Sequence, residues 1–137
     1  MDVARAISDD FQTILDWKNP PPVASWSSGK PHYSLGWLLE GELYRSLSME
    51  FFDKPDGNVR LLPHRCAGKW KKENMEGPLG GFYFRKDGVS KPVLTIALST
   101  SNNLLNKAMD EAYVEQAKRV FGIKEDPKWY WVGGRHF

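Results

Sequence analysis

With Cys66 its only cysteine, the chain cannot form an intramolecular disulfide, and a reducing compartment is the expected setting. Long apolar runs are absent too. None approaches the roughly 18 residues that a membrane span requires, so no membrane association is expected. The opening residues carry Asp2, Asp9 and Asp10 and no apolar core segment, which is unlike a secretory leader; cytoplasm is the expected location. A strong excess of either charge is also missing. Nineteen Lys and Arg face seventeen Asp and Glu, and the pI of 8.6 lies below the value of about 9 that makes nucleic acid the default partner. Neither repeats nor low-complexity tracts interrupt the sequence. Its 137 residues are read as one domain (1–137), long enough to bury roughly 70% of the unfolded surface.

The familiar chemical signatures are missing as well. No phosphate-cradling G-x-x-x-x-G-K-[ST] occurs, and Gly77-Pro78-Leu79-Gly80-Gly81 precedes a strand pattern rather than a helix. G-x-S-x-G, H-E-x-x-H and C-x-x-C are absent, so no nucleophile elbow or zinc framework is written here. No metal or cofactor is expected.

What is present centres on residues 80–122. Phe82-Tyr83-Phe84 and Pro92–Leu98 are aromatic and β-branched runs, with Asp87-Gly88 between them suited to a hairpin reversal. The second run is apolar at nearly every position, as in a strand covered on both faces. Ser101-Asn102-Asn103 then offers N-caps. From Leu105 to Phe121 apolar residues recur at three- and four-residue spacings, and Gly122 suits a left-handed C-terminal cap. The spacing predicts one long helix over about 103–121.

Elsewhere, Val3, Ile7, Phe11, Ile14 and Leu15 form a stripe that predicts an N-terminal helix over about 3–17, ended by Pro20-Pro21-Pro22. Residues 34–39 and 43–52 are read as strands turning at Glu40-Gly41-Glu42, because Leu43, Leu47, Met49 and Phe51 alternate with polar residues. Pro55-Asp56-Gly57-Asn58 signals a turn, and Val59–Leu62 a return strand that Pro63 breaks. Residues 64–79 read as a polar loop. Trp129–Val132 forms a last strand, with Trp129 and Trp131 on one face under Val120 and Phe121. The fold class is therefore α+β: a mainly antiparallel sheet of five or six strands, with the N-terminal helix and the long C-terminal helix packed on one face.

Three residue groups can carry function. Cys66 has cations nearby that favour a thiolate, and His64 is a potential base; the plainer reading is a buried structural cysteine. Glu40 and Glu42 are a carboxylate pair, although acid–base work needs one of them buried. The third group is a surface. Residues 60–91 hold eight bases against three acids, whereas the remainder holds eleven against fourteen. Arg60, Arg65, Lys69, Lys71, Lys72, Arg85 and Lys86, interleaved with Trp70 and Tyr83, form the candidate binding set. Gly81-Phe82-Tyr83-Phe84-Arg85 resembles the aromatic strand of an RNA-recognition module, except that Tyr83 replaces a small residue and Arg85 an aliphatic one.

Low total charge and a net-acidic remainder favour an acidic protein partner over nucleic acid. The expected function is non-catalytic binding, as in a small cytosolic inhibitor or immunity-type protein. Single-stranded nucleic-acid binding by the same patch is the alternative. A small enzyme built on Cys66 and His64, or on Glu40 and Glu42, ranks third.

Overall fold

Val93 to Ala97 have no solvent exposure at all, as their nearly continuous apolar character predicts, Thr95 included. They lie in the longest strand of a computed structural model that describes residues 14–23, 32–73, 80–86 and 89–133. In chain order the elements are β1 (Ile14–Asp16), β2 (His32–Leu38), α1 (Gly41–Phe52), α2 (Leu62–Lys72), β3 (Gly80–Lys86), β4 (Val89–Leu98), α3 (Asn102–Ala108), α4 (Glu111–Phe121) and β5 (Lys128–Gly133). The class is α+β. Five strands form one sheet in the order β1-β5-β2-β4-β3, every pairing antiparallel.

The β3–β4 hairpin forms as the sequence predicts. Lys86 stands opposite Val89, and the Asp87-Gly88 step between them falls outside the described residues. β2 lies against β4 so closely at Gly36 that a Cβ there would sit 1.8 Å from the Leu94 carbonyl oxygen; only glycine fits. On one face of the sheet Leu35, Trp37, Leu94, Ile96 and Trp129 meet buried side chains from all four helices. Trp129 shares that cluster with Val120 and Phe121 as expected, whereas Trp131, although buried, is not part of it. The other face curls inward. β3 approaches β5 across the two intervening strands, and Phe84 meets Tyr130 with ring centroids 5.3 Å apart beside Val93 and Leu38.

Four expectations are corrected. Residues 14–16 are strand, not the end of an N-terminal helix; the rest of that predicted helix lies outside the described residues. The stretch read as a strand over 43–52 is helix α1. Leu43 and Leu47 satisfy both periods, but Ser48 is buried while Met49 is 48% exposed, which only a helical period explains. The hydroxyl of Ser48 is spent on the following turn: it donates to Lys54 O at 2.5 Å and accepts from Gly57 N at 2.6 Å. Val59–Leu62 and the first part of the supposed loop become a turn and helix α2, while residues 74–79 of that loop lie outside the described residues. Pro63 occupies the first turn of α2, where its missing N–H has no partner to lose, so it begins a helix rather than ending a strand.

The fourth correction concerns the long C-terminal helix, which is two helices. Ser101 caps α3 by accepting from Leu104 N at 3.2 Å, and Asp110 caps α4 by accepting from Ala112 N at 3.0 Å. In an unbroken helix Ala112 N would donate to Ala108 O. Asp110 has taken the donor, and the indole Nε1 of Trp17 donates to Ala108 O at 2.5 Å. Both halves of the missing helical bond are thereby satisfied elsewhere. Trp17 in turn accepts at its own carbonyl from Trp129 Nε1 at 3.1 Å, tying β1, β5 and the α3–α4 junction together.

Replacing Trp17 by Phe keeps an aromatic ring but leaves Ala108 O without its donor. A stability loss of about 1–3 kcal/mol is expected, the usual cost of a stranded buried polar group. Urea unfolding measures it, and an unchanged midpoint would show that the indole N–H contributes nothing to the junction.

Candidate binding surface on helix α2

Four of the seven sequence-predicted cations, Arg65, Lys69, Lys71 and Lys72, fall on one helix, and residues 62–72 have a helical apolar stripe. Leu62, Cys66 and Trp70, four residues apart, are buried, so His64, Arg65, Gly68, Lys71 and Lys72 turn outward. Arg60, in the turn before the helix, is exposed as well, its N–H donating to Asn58 Oδ1 at 2.9 Å. Among the described residues no carboxylate lies within ion-pair distance of Arg60, Arg65, Lys71 or Lys72. The two terminal lysines also face the negative end of their own helix dipole.

The other predicted members of the surface are placed differently. Lys69 is neutralised by Glu50 of α1 at 2.7 Å. Trp70 is a core residue, 2% exposed, stacked on Phe121 at 5.9 Å and edge-on to Tyr113 at 5.8 Å. It is therefore removed from the exposed set. Among the described residues its Nε1 has no hydrogen-bond partner. Tyr83 is 43% exposed; alternation sets it opposite Phe84, on the side of the sheet where α2 packs beside β3. Arg85 and Lys86 close β3 opposite Ser90 and Val89, and their side chains lie outside the described structure.

Residues that charge counting misses complete this surface. Leu61, 48% exposed, sits one turn before Arg65, whose N–H donates to Leu61 O at 3.2 Å. The Arg65 guanidinium lies 5.4 Å from the centre of the Phe52 ring, a cation–π contact that holds it against α1. Arg119 of α4 borders a small cleft of about 240 Å³ with Lys69, Glu73 and Gln116, and extends the cations beyond α2.

The remaining candidates separate on the same geometry. A helix places His64 and Cys66 about 200° apart, so the histidine is exposed and the thiol buried. Glu40 and Glu42 border a larger open groove of about 620 Å³, floored by Trp37, Leu43 and Ile123 with Glu125 on its rim. Both are exposed and paired, Glu40 with Lys91 at 2.8 Å and Glu42 with Arg45 at 2.9 Å. Neither has the buried environment that acid–base work demands. Trp37 Nε1 donates to Glu125 O at 2.9 Å and fixes the wall of the groove. Among the described residues, no three His, Cys, Asp or Glu side chains gather to hold a metal, and no helix is long and apolar enough to cross a membrane.

Burial raises the Cys66 thiol from about 9 to about 12; Glu50 adds to the rise and Lys69 opposes it. Tyr130 is pushed up to about 12 by burial and then by Glu40 and Glu125, and burial also raises Tyr113, which donates to Ile96 O at 2.6 Å. A thiol that holds its proton more tightly when folded contributes stability that is complete below its unfolded value and is lost as pH rises through the folded one. The urea midpoint is therefore expected to fall from about pH 9 upward, and Cys66→Ala should flatten the first part of that fall, before the tyrosines titrate. Native protein should resist iodoacetamide at neutral pH and react once unfolded. Rapid native alkylation would contradict the burial of Cys66.

Comparison with family models, with curated proteins and with solved structures finds no match to this chain.

Proposed function

We propose that the protein is a non-catalytic binding module, of the size of a small cytosolic inhibitor or immunity-type protein, that engages an acidic protein partner through helix α2. One observation carries the reading. Arg60, Arg65, Lys71 and Lys72 are exposed with no carboxylate partner among the described residues and fall within one turn-and-helix unit; Lys54, Lys124 and Lys128 are also unpaired but lie off it. Exposed ion pairs contribute little to stability, so unpaired cations on a helix cost the fold little and remain available to an external anion.

Apolar neighbours favour protein over nucleic acid. Leu61 and Met49 are each 48% exposed beside the cations, and a polynucleotide backbone has no use for them. Single-stranded nucleic acid is recognised by stacking as well as charge, and Trp70 is enclosed in the core. The nucleic-acid alternative then rests on Tyr83 alone among the described aromatics of the set.

The test is charge reversal at Arg65, Lys71 and Lys72 to Glu. Binding of labelled poly-L-glutamate, followed by fluorescence anisotropy at low salt, should weaken by about tenfold or more, because opposed charges now meet it. The variant should stay folded with a melting temperature lowered by only several degrees, since the helix-dipole and cation–π contacts it gives up are worth about 0.3–1 kcal/mol each. Undiminished binding would rule out α2 as the site. Tighter binding of oligo(dT) than of polyglutamate would transfer the surface to nucleic acid.

A further inference from the structure

Gly68 lies in the middle of α2, where glycine is the least favourable residue after proline. Nothing among the described residues asks for it. Its φ is negative, and among the described residues a Cβ built there meets no atom within 4 Å beyond its own stretch of helix. Contrast Gly36, where a Cβ would strike the Leu94 carbonyl. At position 68 the absent side chain leaves a flat, solvent-facing spot on the outside of the helix.

The neighbours of that spot are ordered. Positions 61, 65, 68 and 72 recur at four-, three- and four-residue intervals and so share one stripe. Along it come half-exposed Leu61, then Arg65, the bare backbone at Gly68, and Lys72. The two cations are seven residues apart, about 10 Å along the axis. Arg65 is already held over Phe52, so part of its ordering cost precedes binding. Lys69 reaches Glu50 and Arg65 reaches Phe52 on α1, and exposed Met49 stands one turn before Phe52 on that neighbouring helix.

We infer that the stripe Leu61–Arg65–Gly68–Lys72 is the docking line of the partner, and that the docking segment is an acidic amphipathic helix whose backbone lies close against Gly68. The inference rests on the reading of α2 as a protein-binding surface and specifies its ligand. Two helices approach more closely where one lacks a side chain at the crossing, and interaxial distance depends on the residues at the contact. A helix laid there can send carboxylates to Arg65 and Lys72 while separate apolar side chains at helical spacing meet Leu61 and Met49. This is helix recognition by anchor residues at helical spacing.

The test uses two synthetic helical peptides with equal numbers of glutamates. One carries leucines at three- and four-residue spacing, and the other carries serines in their place. The leucine peptide should bind about tenfold tighter, the scale of one buried apolar anchor. Gly68→Ala should raise the melting temperature by about 3 °C, as expected for a glycine the fold does not need. The same variant should weaken the leucine peptide by about fivefold or more and leave the serine peptide within about twofold, since only close packing is disturbed. If Gly68→Ala lowers the melting temperature, the fold requires the glycine and the inference fails. If both peptides bind equally and ignore Gly68→Ala, the docking line is wrong while the basic surface stands. If neither peptide binds, both readings fall.

Discussion

One indole N–H decides how the second half of the chain is arranged. Trp17 donates to Ala108 O, and Asp110 accepts from Ala112 N, so the helical bond between those two backbone groups is never made. The chain turns there, and α4 departs from α3 to lie where Val114, Ala117, Val120 and Phe121 can cover Trp129 and the sheet. The carbonyl of Trp17 receives the indole of Trp129. A short edge strand, the last strand and a helix junction are thus bound through one residue whose own ring is buried. Buried polar groups must find partners, and here that requirement fixes tertiary geometry.

The position of α2 follows. Phe121, at the end of α4, stacks on Trp70, while Tyr113 meets the same ring edge-on and anchors its hydroxyl on the Ile96 carbonyl of β4. With Trp70, Cys66 and Leu62 turned inward, the opposite side of α2 must carry the cations and Gly68 outward. The Ser48 hydroxyl closes the turn between α1 and α2, and Tyr44 OH donates to Gly57 O in the same turn. A surface built on a helix braced in this way keeps its side chains at fixed spacing, which favours recognition by shape and charge together.

Strands buried on both faces announced themselves. Pro92–Leu98 and Trp129–Val132 are too apolar and too branched or aromatic to be read otherwise, and Gly122 is the left-handed cap its position suggested, with φ of 66°. Two kinds of feature escaped. In α1, Leu43 and Leu47 fit periods of two and of four, and the arbiter was Ser48, whose burial depends on a hydrogen bond to a turn that sequence cannot display. The break between α3 and α4 depends on Trp17, which is 91 residues away from Ala108. For the surface, the excess of bases over 60–91 was visible as composition. Helix α2 then divided that run by face, sending Trp70 to the core and neutralising Lys69, and made Leu61 and Gly68 its neighbours. Charge is legible residue by residue; the side of a helix on which it falls is legible only once the helix is known.

Helix α2, rather than the groove floored by Trp37, is the surface proposed to receive the partner. Amide chemical-shift mapping of isotope-labelled protein, titrated with the leucine-bearing acidic peptide, tests it most directly. The largest changes are expected at Leu61, Arg65, Gly68 and Lys72, with smaller ones at Met49 and Phe52. Changes centred instead on Trp37, Leu43 and Ile123 would contradict it and assign binding to the opposite, carboxylate-rimmed groove.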